Sequence, residues 1–375
     1  PGASGGFAVL IFARIFGRYR IEVQRLKWYT ESKKTNKKFA MYSEKNDYIQ
    51  AEEIVMTVNE TLQKLDTAEA GKLMETLYGA AQASENTERY RHVTEGFLRE
   101  YGDKDILLFS SPGRTEISGN HTDHNHGKVL AGSINLDCVG AAAKNGTDTV
   151  RILSETFHQK FIINLKDLKP SKDMAGTIDL TKGILQGFKE RGFEIGGFDA
   201  FITSNVISSA GVSSSASYEM LICAMINTFF NDGKMNVVDY AHIGKYSENK
   251  FWNKASGLLD QMACAVGGLI TIDFKNPEAP VVEKIDFDFG AQDHSLIIVN
   301  TGKGHADLSA DYSSVPNEMK KVAEFFGKEV CADIEEKHVI ENLAKVSRGS
   351  RCDESLPLLR GKQESGGAGR GSEKR

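Results

Sequence analysis

Apolar positions along the chain follow two different periods. Ile54, Val55, Val58, Leu62 and Leu65 recur on one helical face, as do Tyr90, Val93, Phe97 and Leu98, so the spacing predicts a helical preface. From residue 104 shorter apolar runs take over. Ile106–Phe109, Val150–Leu153, Phe161–Ile163, Phe198–Val206, Leu269–Phe274 and Leu296–Asn300 read as strands, with helical patterns such as Tyr218–Phe230 between several of them. Strands interleaved with helices predict an α+β body. Neither period is present at the ends. Residues 1–40 are basic around one short apolar run, Phe7–Phe12, and residues 347–375 are rich in Gly, Ser, Arg and Glu.

Three segments inside that frame carry candidate chemistry. Residues 111–130 alternate Gly113, Gly119 and Gly127 with Arg114, Asn120, His121, Asp123 and Asn125. Glycine permits tight turns and close approach to a ligand, and the polar set suits a small polyhydroxylated molecule with one arginine set apart. A solvated surface loop has the same composition. Residues 210–217, Ala-Gly-Val-Ser-Ser-Ser-Ala-Ser, lie between a strand pattern and a helical one. A small-residue loop opening a helix presents backbone N–H groups and a positive helix end to phosphate. The plainer reading is a serine-rich helix cap. In residues 248–261, Asp260 follows a glycine-bearing turn and Glu248 lies upstream in a helix-like stretch. One carboxylate suits a metal and the other a substrate hydroxyl, although each alone is more often a surface acid.

In this order and at these spacings the three segments resemble the galactokinases, within the GHMP small-molecule kinases, over residues 104–346. The first is similar to the galactokinase signature, the second to the family's Gly-Leu-Ser-Ser-Ser-Ala loop, and the third to its Gly-x-x-Asp-Gln site. Thr301-Gly-Lys-Gly-His-Ala-Asp-Leu-Ser-Ala-Asp-Tyr312 resembles the stretch that opens the second lobe. The resemblance implies a two-lobed GHMP-kinase fold and transfer of a phosphoryl group from ATP to the anomeric hydroxyl of galactose. It implies that Arg114 lies near the transferred group and that Asp260 is the catalytic carboxylate. Asn120, His121, Asp123, Gly257 and Tyr312 would contact the sugar. Gly211, Ser213, Ser214 and Ser215 would line the nucleotide phosphates, and Ser215 with Glu248 would hold Mg²⁺. The chain departs from the family at Asn120, where a glutamate is usual, and at His124, where tyrosine is common. Asn120 keeps a related hexose or N-acetylhexosamine open as substrate, and a non-catalytic galactose and ATP sensor is the alternative from another class.

Composition narrows the rest. A net charge of −5 disfavours nucleic-acid or anionic-membrane partners. Five cysteines without pattern fit reduced thiols in a cytoplasm. The crowded His121, Asp123, His124 and His126 match no zinc spacing, and no Gly-Lys pair is followed by Ser or Thr, which excludes a Walker-type loop. The expected organisation is a non-native or disordered extension (1–40), a helical preface (41–103), a largely complete N-terminal catalytic lobe (104–292) and the start of a C-terminal lobe (293–346). An out-of-frame or disordered tail (347–375) would truncate that second lobe and leave the chain with little or no kinase activity. Oligomeric state is not legible.

Overall fold

The computed structural model describes residues 56–119, 122–174, 176–208, 210–254, 256–287, 289, 296–299 and 309–352, together with short strands at Val9–Ile11, Ala40–Met41 and Ile49–Gln50. Three helices come first: α1 (Val58–Leu65), α2 (Ala68–Tyr78) and α3 (Ala83–Tyr101). Thr57 caps α1 reciprocally with Glu60, and Thr67 caps α2 through Ala70 N–H, so the sequence sets both starts. The sheet follows: β1 (Asp105–Ser118), β2 (Lys128–Lys144), β3 (Thr149–Ser154), β4 (Gln159–Asn164), β5 (Phe198–Ser204), β6 (Leu269–Asp273) and β7 (Val281–Ile285). Helices α4 (Gly176–Glu190), α5 (Ser214–Phe230), α6 (Val237–Phe251) and α7 (Leu259–Val266) interrupt it, and α8 (Ser309–Phe325) and α9 (Glu336–Cys352) come last.

Alternation along the central strands builds two cores. Leu107 and Phe109 of β1, Cys138 and Ala142 of β2, and Phe198, Ala200 and Ile202 of β5 face α4, α5 and α6. Their neighbours Ile106, Leu108, Val139, Ala141, Ala143 and Phe201 face the preface, against Val58, Met74, Tyr90, Val93 and Phe97. Period two in the strand therefore assigns each side chain to one layer. Alpha5 is buried along most of its length because it lies directly under the sheet. A Cβ on Gly140 would come within 2.7 Å of Met225 in α5, so β2 has to be small there.

Strand β2 organises the sheet. One edge pairs antiparallel with β1, from Leu107↔Ala142 to Ser118↔Leu130. The other edge is split: its C-terminal half pairs with β5 (Cys138↔Ser204 to Lys144↔Phe198) and its N-terminal half with β6 (Leu269↔Gly132 to Asp273↔Lys128). The sequence reading missed β2. Its Gly, Ala and Ser content is low in β propensity, and tertiary burial on both faces overrides that. The expected strand at 296–300 is not formed over 296–299, where the chain is irregular and Ile297 and Val299 are exposed.

Two buried polar clusters tie the layers together. Asp137 accepts from Tyr78 Oη at 2.7 Å, from Ser110 and from Arg89, which fastens α2 and α3 to the sheet. Asp199, fully buried, accepts from Arg151 Nε at 2.6 Å, Lys104 Nζ at 2.6 Å and Asn145 Nδ2 at 2.8 Å. Burial alone would raise the carboxyl pKa, but these donors hold it below the ordinary value.

Of the boundaries expected from sequence, most of 1–55 falls outside the described residues, as does the chain beyond Cys352. Helix α9 crosses the expected break at 346 and runs to Cys352. Among the described residues no helix is long and apolar enough to cross a membrane.

Candidate active site

The split in the β2 edge makes room for the site. Where β5 ends and before β6 begins, residues 205–208 and 210–213 lie off the sheet, and Val206 and Val212 pack on Ile134 of β2. Beside them β1 carries a register shift between Pro112 and Arg114. A bulge re-aims the side chain that follows it. Gly113 is required there, because a Cβ would come within 2.6 Å of the Val212 carbonyl oxygen. Arg114 N–H donates to that same carbonyl at 3.1 Å, so strand and loop are clamped together.

Arg114 and Asp260 meet at the centre. Arg114 Nε and Nη2 both donate to Asp260 Oδ1, at 2.9 and 2.7 Å, and its Nη1 donates to the Gly211 carbonyl. Arg114 is 5 % exposed. Burial opposes its charge, yet Asp260 beside it more than offsets this and holds the guanidinium above its ordinary pKa. Asp260 lies in the first turn of α7, and its Oδ2 accepts from Ser213 Oγ at 2.6 Å. Ser213 stands at the N-cap position of α5 in left-handed backbone (φ 59°) and makes no side-chain cap bond. The cap reading of the serine run therefore fails at this residue, whose hydroxyl is turned to the carboxylate instead.

Asp123 lies in a short 3₁₀ turn, Thr122–Asn125, between β1 and β2. Its Oδ2 accepts from Leu258 N at 2.8 Å and Leu259 N at 3.3 Å, and its Oδ1 from His124 N at 3.0 Å. A carboxylate on the first N–H groups of a helix satisfies donors that have no partner within that helix. Asp123 thus fixes the N-terminus of the helix that carries Asp260. A Cβ on Gly257 would fall on Asp123 Oδ2, so only glycine fits that turn. The structure brings Arg114, Asp123, Gly211, Ser213, Ser214, Ser215, Glu248, Gly257 and Asp260 to one end of α5 and α7. Asn120 and His121 lie outside the described residues, and Tyr312 is placed only as a backbone position in α8.

Glu248, in the last turn of α6, is 1 % exposed. Its Oε1 accepts from Ser215 Oγ at 2.8 Å and from Lys254 Nζ; its Oε2 accepts from Ser256 Oγ and from Gln261 Nε2 at 3.1 Å. Lys254 Nζ also lies 3.2 Å from Ser215 Oγ. Gln261 donates as well to Glu219 Oε2 at 3.0 Å. Burial, and then the neighbouring Glu248, push the Glu219 carboxyl well above its ordinary pKa. Ser215 and Glu248 are adjacent, as a shared metal would require, but the Lys254 ammonium bonds both of them. A dication held by the same two oxygens would have to displace that ammonium, so these residues as arranged do not fit a protein-held Mg²⁺. Among the described residues no group of three or more His, Cys, Asp or Glu converges as a metal site.

Sequence reasoning missed Lys254, Ser256, Gln261 and Glu219. Lys254 and Ser256 stand in a mixed-charge turn that carries no periodic signal. Glu219 sits inside an apolar helix, and an acid among apolar residues there was the one available clue.

Residues 95–144 match the family model described as the galactokinase galactose-binding signature, and residues 179–268 match the GHMP kinases N-terminal domain. A galactokinase of Clostridium tetani is 32 % identical over 250 residues, covering 65 % of this chain and 62 % of that protein. A galactokinase of Streptococcus suis is 32 % identical over 242 residues, 64 % of this chain and 60 % of its own length. The crystal structure of Lactococcus lactis galactokinase complexed with galactose shares the fold, with a TM-score of 0.51 at 23 % identity over 62 % of each chain. The chain thus spans about three fifths of the length of these relatives. Its resemblance to galactokinases, and the GHMP-kinase fold that the resemblance implied, are borne out.

Proposed function

We propose that this chain, with its galactokinase signature and GHMP-kinase domain, works in galactose metabolism by transferring the γ-phosphoryl group of ATP to the anomeric hydroxyl of galactose. The observation that carries the reading is Asp260, anchored through Oδ1 to a buried arginine and through Oδ2 to Ser213, where α5 and α7 begin. In the reaction the anomeric oxygen bonds to the γ-phosphorus as the bond from that phosphorus to the β–γ bridging oxygen breaks, and ADP leaves. Such transfers have a loose transition state, so positioning and charge stabilisation supply most of the catalysis. Arg114 neutralises charge on the phosphoryl oxygens. Asp260 orients the sugar hydroxyl and receives its proton as the new bond forms, the sugar replacing Ser213 as donor.

Asp123 and Gly257, with His121, Asn120 and Tyr312, form the sugar side of the site in this reading. Gly211, Ser213, Ser214 and Ser215 form the phosphate side. Any Mg²⁺ would have to be carried by the nucleotide, where it would supply charge neutralisation to the phosphates. A cytoplasmic setting is supported by four free thiols, three of them buried, among the described residues.

The test is ADP release by the purified full chain with galactose, glucose or N-acetylgalactosamine. A site built to bond one set of hydroxyls rejects mismatched sugars, so galactose is expected to exceed the others by at least ~100-fold. Comparable turnover on all three would overturn the assignment.

A further inference from the structure

Lys254 has no part in the chemistry described so far, yet its ammonium stands beside the residues assigned to the phosphates. It bonds Glu248 Oε1 and reaches Ser215 Oγ at 3.2 Å, in the first turn of α5. The side chain is 45 % exposed while Glu248 is 1 % exposed, so the pair is buried on the carboxylate side and open on the lysine side. An ammonium has three donors, and Glu248 and Ser215 engage two. Glu248 would stay satisfied if the lysine turned outward, because Ser215, Ser256 and Gln261 also donate to it. The arrangement leaves a charged donor at the mouth of the phosphate loop.

We propose that Lys254 is the resident cation of this site and bonds a phosphate oxygen of bound ATP directly, so that nucleotide binding does not depend on a metal held by Ser215 and Glu248. The proposal rests on the galactokinase reading for the identity of the nucleotide. A compact, mobile ammonium acts on phosphate as a point charge. With the third lysine donor on the nucleotide, the positive charge lies between a buried carboxylate and the anionic ligand. A dication on Ser215 and Glu248 would be repelled by that ammonium. The simpler role for Lys254 is to neutralise Glu248 alone, and the two roles differ in what ATP does without metal.

Lys254 also supplies its own reporter, since Nζ lies 5.5 Å from the centre of the Trp252 ring. Trp252 is one of two tryptophans, so Trp28→Phe makes it the sole emitter. The experiment titrates the full chain carrying Trp28→Phe with ATP, in EDTA and in Mg²⁺, and follows Trp252 fluorescence. Expected is saturable ATP binding in EDTA that weakens roughly tenfold or more in Lys254→Met, the usual worth of a charge-assisted bond, and returns in Lys254→Arg. The proposal is overturned if the parent chain binds ATP only with Mg²⁺, or if Lys254→Met binds in EDTA as tightly as the parent. Should Lys254→Met fail to fold, the parent chain in EDTA and Lys254→Arg decide the matter by the same criteria. Galactose binding, measured separately by calorimetry, tests the parent reading. Metal-independent ATP binding by a chain that ignores galactose would refute the galactokinase assignment while supporting the role of Lys254.

Discussion

Gly257 and Asp123 show how much one atom decides. The Asp123 carboxylate occupies the space a Cβ at 257 would need. Gly257→Ala must therefore push Asp123 off the Leu258 and Leu259 amides and shift the first turn of α7, where Asp260 sits. The expected outcome is a galactose kcat/KM lower by at least ~100-fold, because small misplacements of a reacting group are costly, with metal-free ATP binding little changed. Equal losses for both ligands would show general unfolding instead. Asp260→Asn is the complementary test. It keeps the shape but removes the charge that Arg114 and Ser213 both address. Turnover is expected to fall by roughly 10²–10⁴-fold, and single-turnover kinetics with near-normal rates would refute the placement of the sugar hydroxyl.

Among the elements, β3, β5 and the start of β1 depend on one buried charge. Asp199 in β5 is held by Arg151 from β3, by Lys104 just before β1, and by Asn145. Its folded pKa is depressed, so the stability it contributes is present above the unfolded carboxyl value and is lost as pH falls through the folded one. Asp199→Asn should cost roughly 1–2 kcal/mol at neutral pH, the worth of hydrogen bonds to a charged group whose cationic partners stay partly in solvent. The difference in Tm between the two proteins should shrink as pH is lowered from 7 towards 3. A difference that stays constant over that range would mean the loss comes from packing rather than charge. Helix α5 is set in a different way. Its N-terminus has no side-chain cap, and it holds its place by burial beneath β2, with Ser217 Oγ donating to the Ser111 carbonyl at 2.6 Å.

For the molecule as a whole, apolar surface is left open beyond β7. Ile297 is 80 %, Val299 75 % and Ile298 42 % exposed, and Leu296 and Ile298 line a pocket of about 210 Å³ together with Ile134 and Leu136. Exposed contiguous apolar residues favour association. The double variant Ile297→Asn, Val299→Thr should lower light scattering of concentrated protein while shifting stability by no more than ~0.5 kcal/mol, the usual scale for surface positions. A marked drop in Tm would show that these side chains are packed in solution. Helix α8 meets the sheet body through the 122–125 turn, where Asn125 Nδ2 approaches Met319 Sδ at 3.2 Å, and the 3₁₀ turn that follows α8 adds Cys331 N, which donates to Asn125 Oδ1 at 3.1 Å. The expected sugar segment therefore also serves as the seat of α8 and of the turn at Cys331.

Local pattern determined a great deal of this protein. The periodicity of Val58 to Leu65 and of Tyr90 to Leu98 placed the preface, and the Arg114, Ser213–Ser215 and Asp260 segments picked out side chains that the fold brings together, because turns, caps and apolar faces are written in neighbouring residues. Tertiary structure alone decided the rest. Strand β2 is invisible locally, since its small residues are set by what packs on its two faces, Met225 of α5 against Gly140 on one and the preface helices against Val139, Ala141 and Ala143 on the other. The partner of Ser213 is Asp260 rather than its own helix, a bond across 47 positions of sequence. Lys254 reads as a solvated charge until α5 and α6 bring Ser215 and Glu248 to it. Contacts between segments distant in sequence depend on how layers stack, and no periodicity in one segment encodes the side chain that another segment will present to it.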